Sequence, residues 1–184
     1  MSTAEPGGRI ELPPAALVVL IGAAGSGKSA FAARHLPPEA VISSDQLRAR
    51  LGKDEADQNV NEVVFERLLH AVDDRLGAAW LTVVDATNTD WMRRSELIRS
   101  ARRHGRPPVA IAFDLPLEIC LARNRARARQ VRPSLIRQQV DAVRRDLDRL
   151  DLEGFTSVWV LQSPDQVDRV TMAVDGGPVA RASV

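Results

Sequence analysis

What the chain lacks narrows its chemistry first. Cys120 is the only cysteine, so no internal disulfide and no cysteine cage for zinc can form, and a reducing, cytoplasmic setting is the expectation. The histidines, His35, His70 and His104, lie far apart, which argues against a His-rich dinuclear centre. There is no tyrosine, and four phenylalanines and three tryptophans are too few for an extended base-stacking surface. No apolar run reaches the ~20 residues of a membrane span. The stretch Ala15 to Ile21 also lacks the basic flank and cleavage site of a leader. A net charge of +1 makes no case for nucleic acid by itself. Lysine is nearly absent: Lys28 and Lys53 stand against 23 arginines, so each lysine that is present calls for a reason.

What remains is a one-domain composition, 184 residues with 45% hydrophobic and 27% charged side chains. Uninterrupted apolar runs recur at Leu17 to Ile21, Val41 to Ser44, Leu81 to Asp85, Val109 to Phe113 and Val158 to Leu161. Runs without alternation are the mark of strands buried on both faces. Between them, Val60, Val64, Leu68, Val72 and Leu76 recur every four residues, and Ile136, Val140, Val143, Leu147 and Leu150 every three or four. These are the apolar faces of amphipathic helices. The alternation predicts an α/β fold with a central five-stranded parallel sheet flanked by helices, and ligands beyond the carboxyl ends of the strands. The predicted domain runs over residues 10–172, with 1–9 and 173–184 as flexible tails.

Gly22-Ala-Ala-Gly25-Ser26-Gly27-Lys28-Ser29 fits G-x-x-x-x-G-K-S, directly after the first strand and before a helical segment. Gly25, Ser26, Gly27 and the Ala30 amide would wrap phosphate oxygens. Lys28 would reach the β and γ phosphates, and Ser29 would ligate Mg²⁺ (or Mn²⁺). No N-K-x-D segment exists to read guanine, since Lys53 follows Gly52, and Asp85 is followed by Ala86 rather than by a water-activating glutamate. Transfer of phosphate from ATP or another NTP to a bound hydroxyl fits better than GTP or water chemistry. Asp85 is placed either to hold the metal's water shell or to cap a strand end.

Asp45 follows the second strand, with Arg48 one turn later. It can serve as general base toward an acceptor hydroxyl, with Arg48 forking onto a phosphate, or it can cap the helix of Gln46 to Leu51. From Arg123 to Arg149, nine arginines face three aspartates. Arg123 and Arg129 read as lid residues that close over the triphosphate. Arg125, Arg137, Arg144, Arg145 and Arg149 read as a solvated face. Trp91 can stack on a terminal base or pack on the helix it begins.

With Ser43-Ser44-Asp45-Gln46-Leu47-Arg48, Val83-Val84-Asp85-Ala86-Thr87-Asn88 and Cys120-Leu121-Ala122-Arg123-Asn124 beside the glycine loop, residues 12 to 172 resemble the 5′-kinase module of the bacterial polynucleotide kinase-phosphatase family, the RNA end-healing enzymes. The resemblance implies an adenylate-kinase-like P-loop NTPase fold with an arginine-rich lid. It also implies transfer of the NTP γ-phosphate to a 5′-OH end of RNA or DNA. On it, Asp45 matches the general base, Arg48 an acceptor-side arginine, and Arg123 and Arg129 arginines that bind the ATP phosphates. It further implies phosphatase and ligase-like end-healing modules, fused or associated. Departures are visible. Ala30 replaces the usual threonine after Ser29, and the lid is one residue shorter, which leaves Arg127 and Arg129 as alternatives for the second arginine role. Two other readings stay open: a small-molecule P-loop kinase of the zeta-toxin or antibiotic-phosphotransferase type, and a nucleotide-binding module without catalysis.

Overall fold

A computed structural model describes residues 2–3, 7–51, 58–127, 130–174 and 177–178. In chain order the strands are β1 (Ser2–Thr3), β2 (Arg9–Leu12), β3 (Leu17–Gly22), β4 (Val41–Ser43), β5 (Thr82–Asp85), β6 (Pro108–Phe113), β7 (Ser157–Leu161), β8 (Thr171–Val174) and β9 (Gly177–Pro178). The α-helices are α1 (Lys28–His35), α2 (Ser44–Leu51), α3 (Gln58–Gly77), α4 (Trp91–Arg103), α5 (Leu117–Arg125), α6 (Pro133–Asp146), α7 (Leu150–Glu153) and α8 (Pro164–Arg169).

The main sheet is parallel, in the order β1-β7-β6-β3-β5-β4. Its five longer strands are the five apolar runs. The middle strand, β3, explains why those runs show no alternation. Val18 and Leu20 enter one core with Phe31, Phe113 and Ile136, while Leu17, Val19 and Ile21 enter the other with Leu68, Val72 and Leu97. A strand covered by helices on both sides leaves neither face for polar residues. All five carboxyl ends point to one edge, and the register sets Ser43 beside Asp85 and Leu20 beside Asp85.

Some described residues within the stretches 1–9 and 173–184 pair as strands. Ser2–Thr3 adds a short sixth strand beside Trp159 and Val160. A second sheet pairs β2 with β8 in parallel and β8 with β9 antiparallel. Arg9, Ala173 and Val174 belong to it, because Ile10 and Leu12 turn inward on β2 while Arg9 and Glu11 stay outside. Four alternating residues are too brief a pattern to stand out in the sequence. Acidic Asp54, Glu55 and Asp57 lie outside the described residues, as does Arg129. No helix among the described residues is long and apolar enough to cross a membrane.

Candidate active site

The glycine loop joins β3 to α1 at the carboxyl edge of the sheet. Gly25 (φ 83°) and Gly27 (φ 101°) both take left-handed backbone conformations, which cost little only at glycine. At Gly25 a second reason applies: an added Cβ would stand 2.3 Å from the carbonyl oxygen of Cys120. The loop is also fastened from outside. The Ala24 N–H donates to Gln139 Oε1 on α6 at 2.9 Å, and the Gly22 N–H to the Thr87 carbonyl at 2.9 Å. The sequence carries no signal for these contacts of Gln139 and Cys120, which join residues about a hundred positions apart.

These contacts separate two costs that sequence alone cannot. Gly25→Ala is expected to weaken nucleotide binding at least tenfold, because both the positive φ and the Cys120 backbone resist the methyl group. Gly105→Ala also has positive φ (64°) but nothing within 4 Å of its would-be Cβ. It should lose only the ~1–2 kcal/mol of the backbone conformation and keep full affinity. Calorimetric titration with an ATP analogue, alongside urea unfolding, checks both.

Lys28 is buried within the loop, and its ammonium donates to the Gly22 and Ala23 carbonyls at 2.8 Å each. Burial lowers its pKa to about 8, against the opposing pull of the Asp85 carboxylate and with a smaller push from Arg127. Asp85 shifts the other way. Burial raises it, while a hydrogen bond from Ser29 and the charge of Lys28 hold it down. An alkyl ammonium inside a ring of carbonyls is a pre-placed cation, ready to exchange those oxygens for phosphate.

A pH dependence with two opposite signs follows. Between about pH 8 and 10.5 the unfolded chain holds more protons than the folded one, so fold stability gains from Lys28 as pH rises. A bound phosphate favours the charged ammonium and raises its pKa, so binding takes up a proton in that window. Donor affinity is therefore expected to be flat below pH 7 and to fall toward tenfold per pH unit above 8. Titrations from pH 7 to 10 at constant ionic strength test this.

The fit to a divalent metal rests on Ser29 and Asp85, whose hydroxyl and carboxylate lie near enough to interact beside Lys28. Hydroxyl and carboxylate are hard oxygen donors of the kind Mg²⁺ takes. Among the described residues no group of three or more His, Cys, Asp or Glu could cage a metal, so a metal here would complete its shell with water and substrate phosphates. It would neutralise charge on the triphosphate; the chain's part is to orient it.

On the α1 side of the loop, a cavity of about 310 Å³ is lined by Gly25, Gly27, Ala30, Phe31, Arg34, Arg123, Arg127, Val167 and Asp168. Arg123, on the last turn of α5, reaches within 3.5 Å of the Ser26 carbonyl. Arg127 lines the same cavity, and its charge is felt at both Lys28 and Asp85. After α5, Asn124, buried, donates to the Val131 carbonyl and accepts from the Val131 N–H, both at 2.9 Å. Arg125, Arg137, Arg144, Arg145 and Arg149 are exposed.

The opposite side of the loop holds a second cavity, of about 200 Å³, between α2, α3 and the segment after β5. Ser44, Arg48, Phe65, Asn88, Asp90 and Arg93 are among its lining. The cap of α2 is the Ser43 hydroxyl, which accepts from the Gln46 N–H at 3.5 Å. Asp45 sits inside the first turn and is released from capping. Its carboxylate is 70% exposed and accepts from Arg48 at 3.1 Å, while Arg48, 20% exposed, also donates to Asn61 at 3.0 Å. Asp45 therefore stands at the rim, turned to solvent; its neighbour Ser44 and its partner Arg48 line the cavity. Its charge still reaches Lys28 and Asp85.

Asn88, in the lining of this cavity, is fixed through both its side chain and its backbone. Asn88 (φ 49°) donates through its side chain to the Leu20 carbonyl at 2.7 Å. Its own carbonyl accepts from Arg94 at 2.9 Å. Arg94 is fully buried and pairs with Asp146, at the end of α6, and Glu153, on α7. Trp91, one residue past the Asp90 cap, is 62% exposed.

A glycine loop with a buried lysine on the central strand of a parallel sheet, a hydroxyl–carboxylate pair beside it and a cavity on either flank define a P-loop kinase fold. Residues 17–150 match the model of the AAA domain family AAA_33, and the chain belongs to that family. No curated protein sequence matches it significantly. Among solved structures it is similar to a chain of the Pnkp1/Rnl/Hen1 RNA repair complex, at 22% identity and a TM-score of 0.65 over 73% of this chain. It spans only 46% of that chain. A sugar kinase from Janibacter sp. HTCC2649 (20% identity, TM-score 0.57, 84% of this chain and 91% of that one) shares the fold. So does the APS kinase CysC of Mycobacterium tuberculosis (20%, 0.50, 76% and 99%). At these identities the likeness shows the fold alone.

Proposed function

We propose that the chain transfers the γ-phosphate of ATP or another NTP to the 5′-hydroxyl end of RNA or DNA. The observation that carries the reading is the pair of cavities on either side of Lys28. One is lined by Arg123 and Arg127 and fits the donor. The other is lined by Arg48 and by the hydroxyls of Ser44, Thr87 and Thr89, has Asp45 at its rim and fits an acceptor that brings a hydroxyl. The ordered motifs around Asp45, Asp85 and Arg123 support the same assignment.

In this reading Asp45 exchanges Arg48 for the acceptor hydroxyl. An exposed ion pair is worth at most about 1 kcal/mol, so the exchange is easy. The hydroxyl oxygen attacks the γ phosphorus as its proton passes to Asp45, and the bond to the β-bridging oxygen breaks to release the nucleoside diphosphate. Lys28, Arg123 and Arg127 meet the charge on the transferring group. Arg129, one of the two alternatives for the family's second lid arginine, lies outside the described residues; the other, Arg127, lines the donor cavity with Arg34 and Arg123.

A smaller acceptor is the second reading, favoured by the modest 200 Å³ of the acceptor cavity. Incubation with γ-labelled ATP, Mg²⁺ and a 5′-OH oligonucleotide tests the choice. Label should appear on the 5′ end, and rising salt should slow the reaction steeply if phosphate contacts hold the strand. ATP binding with no transfer to any polynucleotide end would leave the small acceptor, or a non-catalytic nucleotide-binding module.

A further inference from the structure

We propose that Arg93 and Phe65 together form the platform on which the terminal base of the acceptor strand stacks, an inference that rests on the polynucleotide-end reading above. The phenyl ring of Phe65, on α3, is almost wholly buried, and Cζ of Arg93, on α4, lies over it, 4.9 Å from its centroid. Both residues line the acceptor cavity. The N–H edges of this guanidinium are already directed at acids: Nη2 donates to Glu62 at 2.7 Å, and Nε stands 3.9 Å from Asp90.

With one side on a phenyl ring and its edges held by two carboxylates, Arg93 offers a ligand the other side of a planar, delocalised cation. A flat π-system stacks on such a surface without displacing anything. A phosphate, in contrast, is bound through the N–H edges, of which Nη2 and Nε already face Glu62 and Asp90. The rest of the lining suits a nucleoside, with Val64 and Leu68 as an apolar wall and the hydroxyls of Ser44, Thr87 and Thr89 within the same cavity. A chain without tyrosine can thus hold a base by stacking on this guanidinium.

The test uses the full chain at saturating MgATP and two sets of 5′-OH oligonucleotides, identical except that the first residue carries a base or is abasic. The unmodified protein should prefer the base-bearing end. Arg93→Ala should raise KM for that end roughly ten- to a hundredfold, with KM for the abasic end and for ATP unchanged. Arg93→Lys should not restore the preference, since an ammonium keeps the charge and loses the plane. Phe65→Leu, which keeps an apolar wall beneath Arg93, should weaken it in the same direction. An equal loss on the abasic end would overturn the inference, because Arg93 would then act on phosphate or sugar, and so would equal use of both ends by the unmodified protein while transfer persists. Absence of transfer to any polynucleotide end is a different result: it removes the acceptor assignment itself, and the platform with it.

Discussion

Arg94→Ala is expected to lower the free energy of unfolding by about 3–5 kcal/mol, the range for removing one partner of a buried ion pair. The guanidinium is fully buried and serves three acceptors on three segments: Asp146 at the end of α6, Glu153 on α7 and the carbonyl of Asn88. Burial alone would depress its pKa, but the hydrogen bonds and charges of Glu153 and Asp146 outweigh that and raise it. Without it, Glu153 loses its guanidinium partner, Asp146 keeps, among the described residues, only the exposed Arg145 at 3.2 Å, and a backbone carbonyl loses its donor. Arg94→Lys, with one point charge in place of the fork, should recover only part of the loss. Neutralising the acids as well, in Arg94→Met with Asp146→Asn and Glu153→Gln, should recover more, because no uncompensated charge then remains. Urea denaturation at neutral pH reads all three; a loss under 1 kcal/mol for Arg94→Ala would mean that solvent replaces the guanidinium.

The same residue marks where the sequence stops being informative. The glycine loop, the five strands and Asp85 all follow local rules: a motif of fixed spacing, runs that admit no alternation, a carboxylate at a strand end. Each can be read within ten residues. Arg94 is one of 23 arginines, and nothing adjacent distinguishes it from Arg93. Its burial comes from Asp146 and Glu153, more than fifty positions away. Gln139 and Cys120 are similarly invisible, because they fasten the loop through a tertiary approach of α5 and α6 to β3. The choice between Asp45 as cap and Asp45 as free carboxylate was also unreadable. Ser43 and Ser44 both precede it, and only the backbone course makes the Ser43 hydroxyl the group that meets the Gln46 N–H. The second sheet went unseen because β2 and β8 are short and pair across most of the chain.

Freedom from capping is what makes Asp45 the most informative position for function. Asp45→Asn keeps the size of the side chain and can still accept from Arg48, but it cannot take up a proton. On the proposed mechanism kcat should fall 10²- to 10⁴-fold, the usual span for loss of a general base. The donor side should respond differently. Asp45 lies outside the lining of the cavity that holds Arg123 and Arg127, and its negative charge is felt at Lys28 and Asp85. Removing that charge should leave affinity for an ATP analogue unchanged or slightly tighter, and thermal stability intact, because an exposed pair contributes little. Single-turnover transfer combined with equilibrium binding separates the two effects. If kcat survives within threefold while binding is unchanged, the proton leaves by another route, and the rim carboxylate serves only to hold Arg48 in place. A fall in kcat accompanied by an equal loss of donor affinity would instead make Asp45 part of the donor site, against its position on the far side of Lys28.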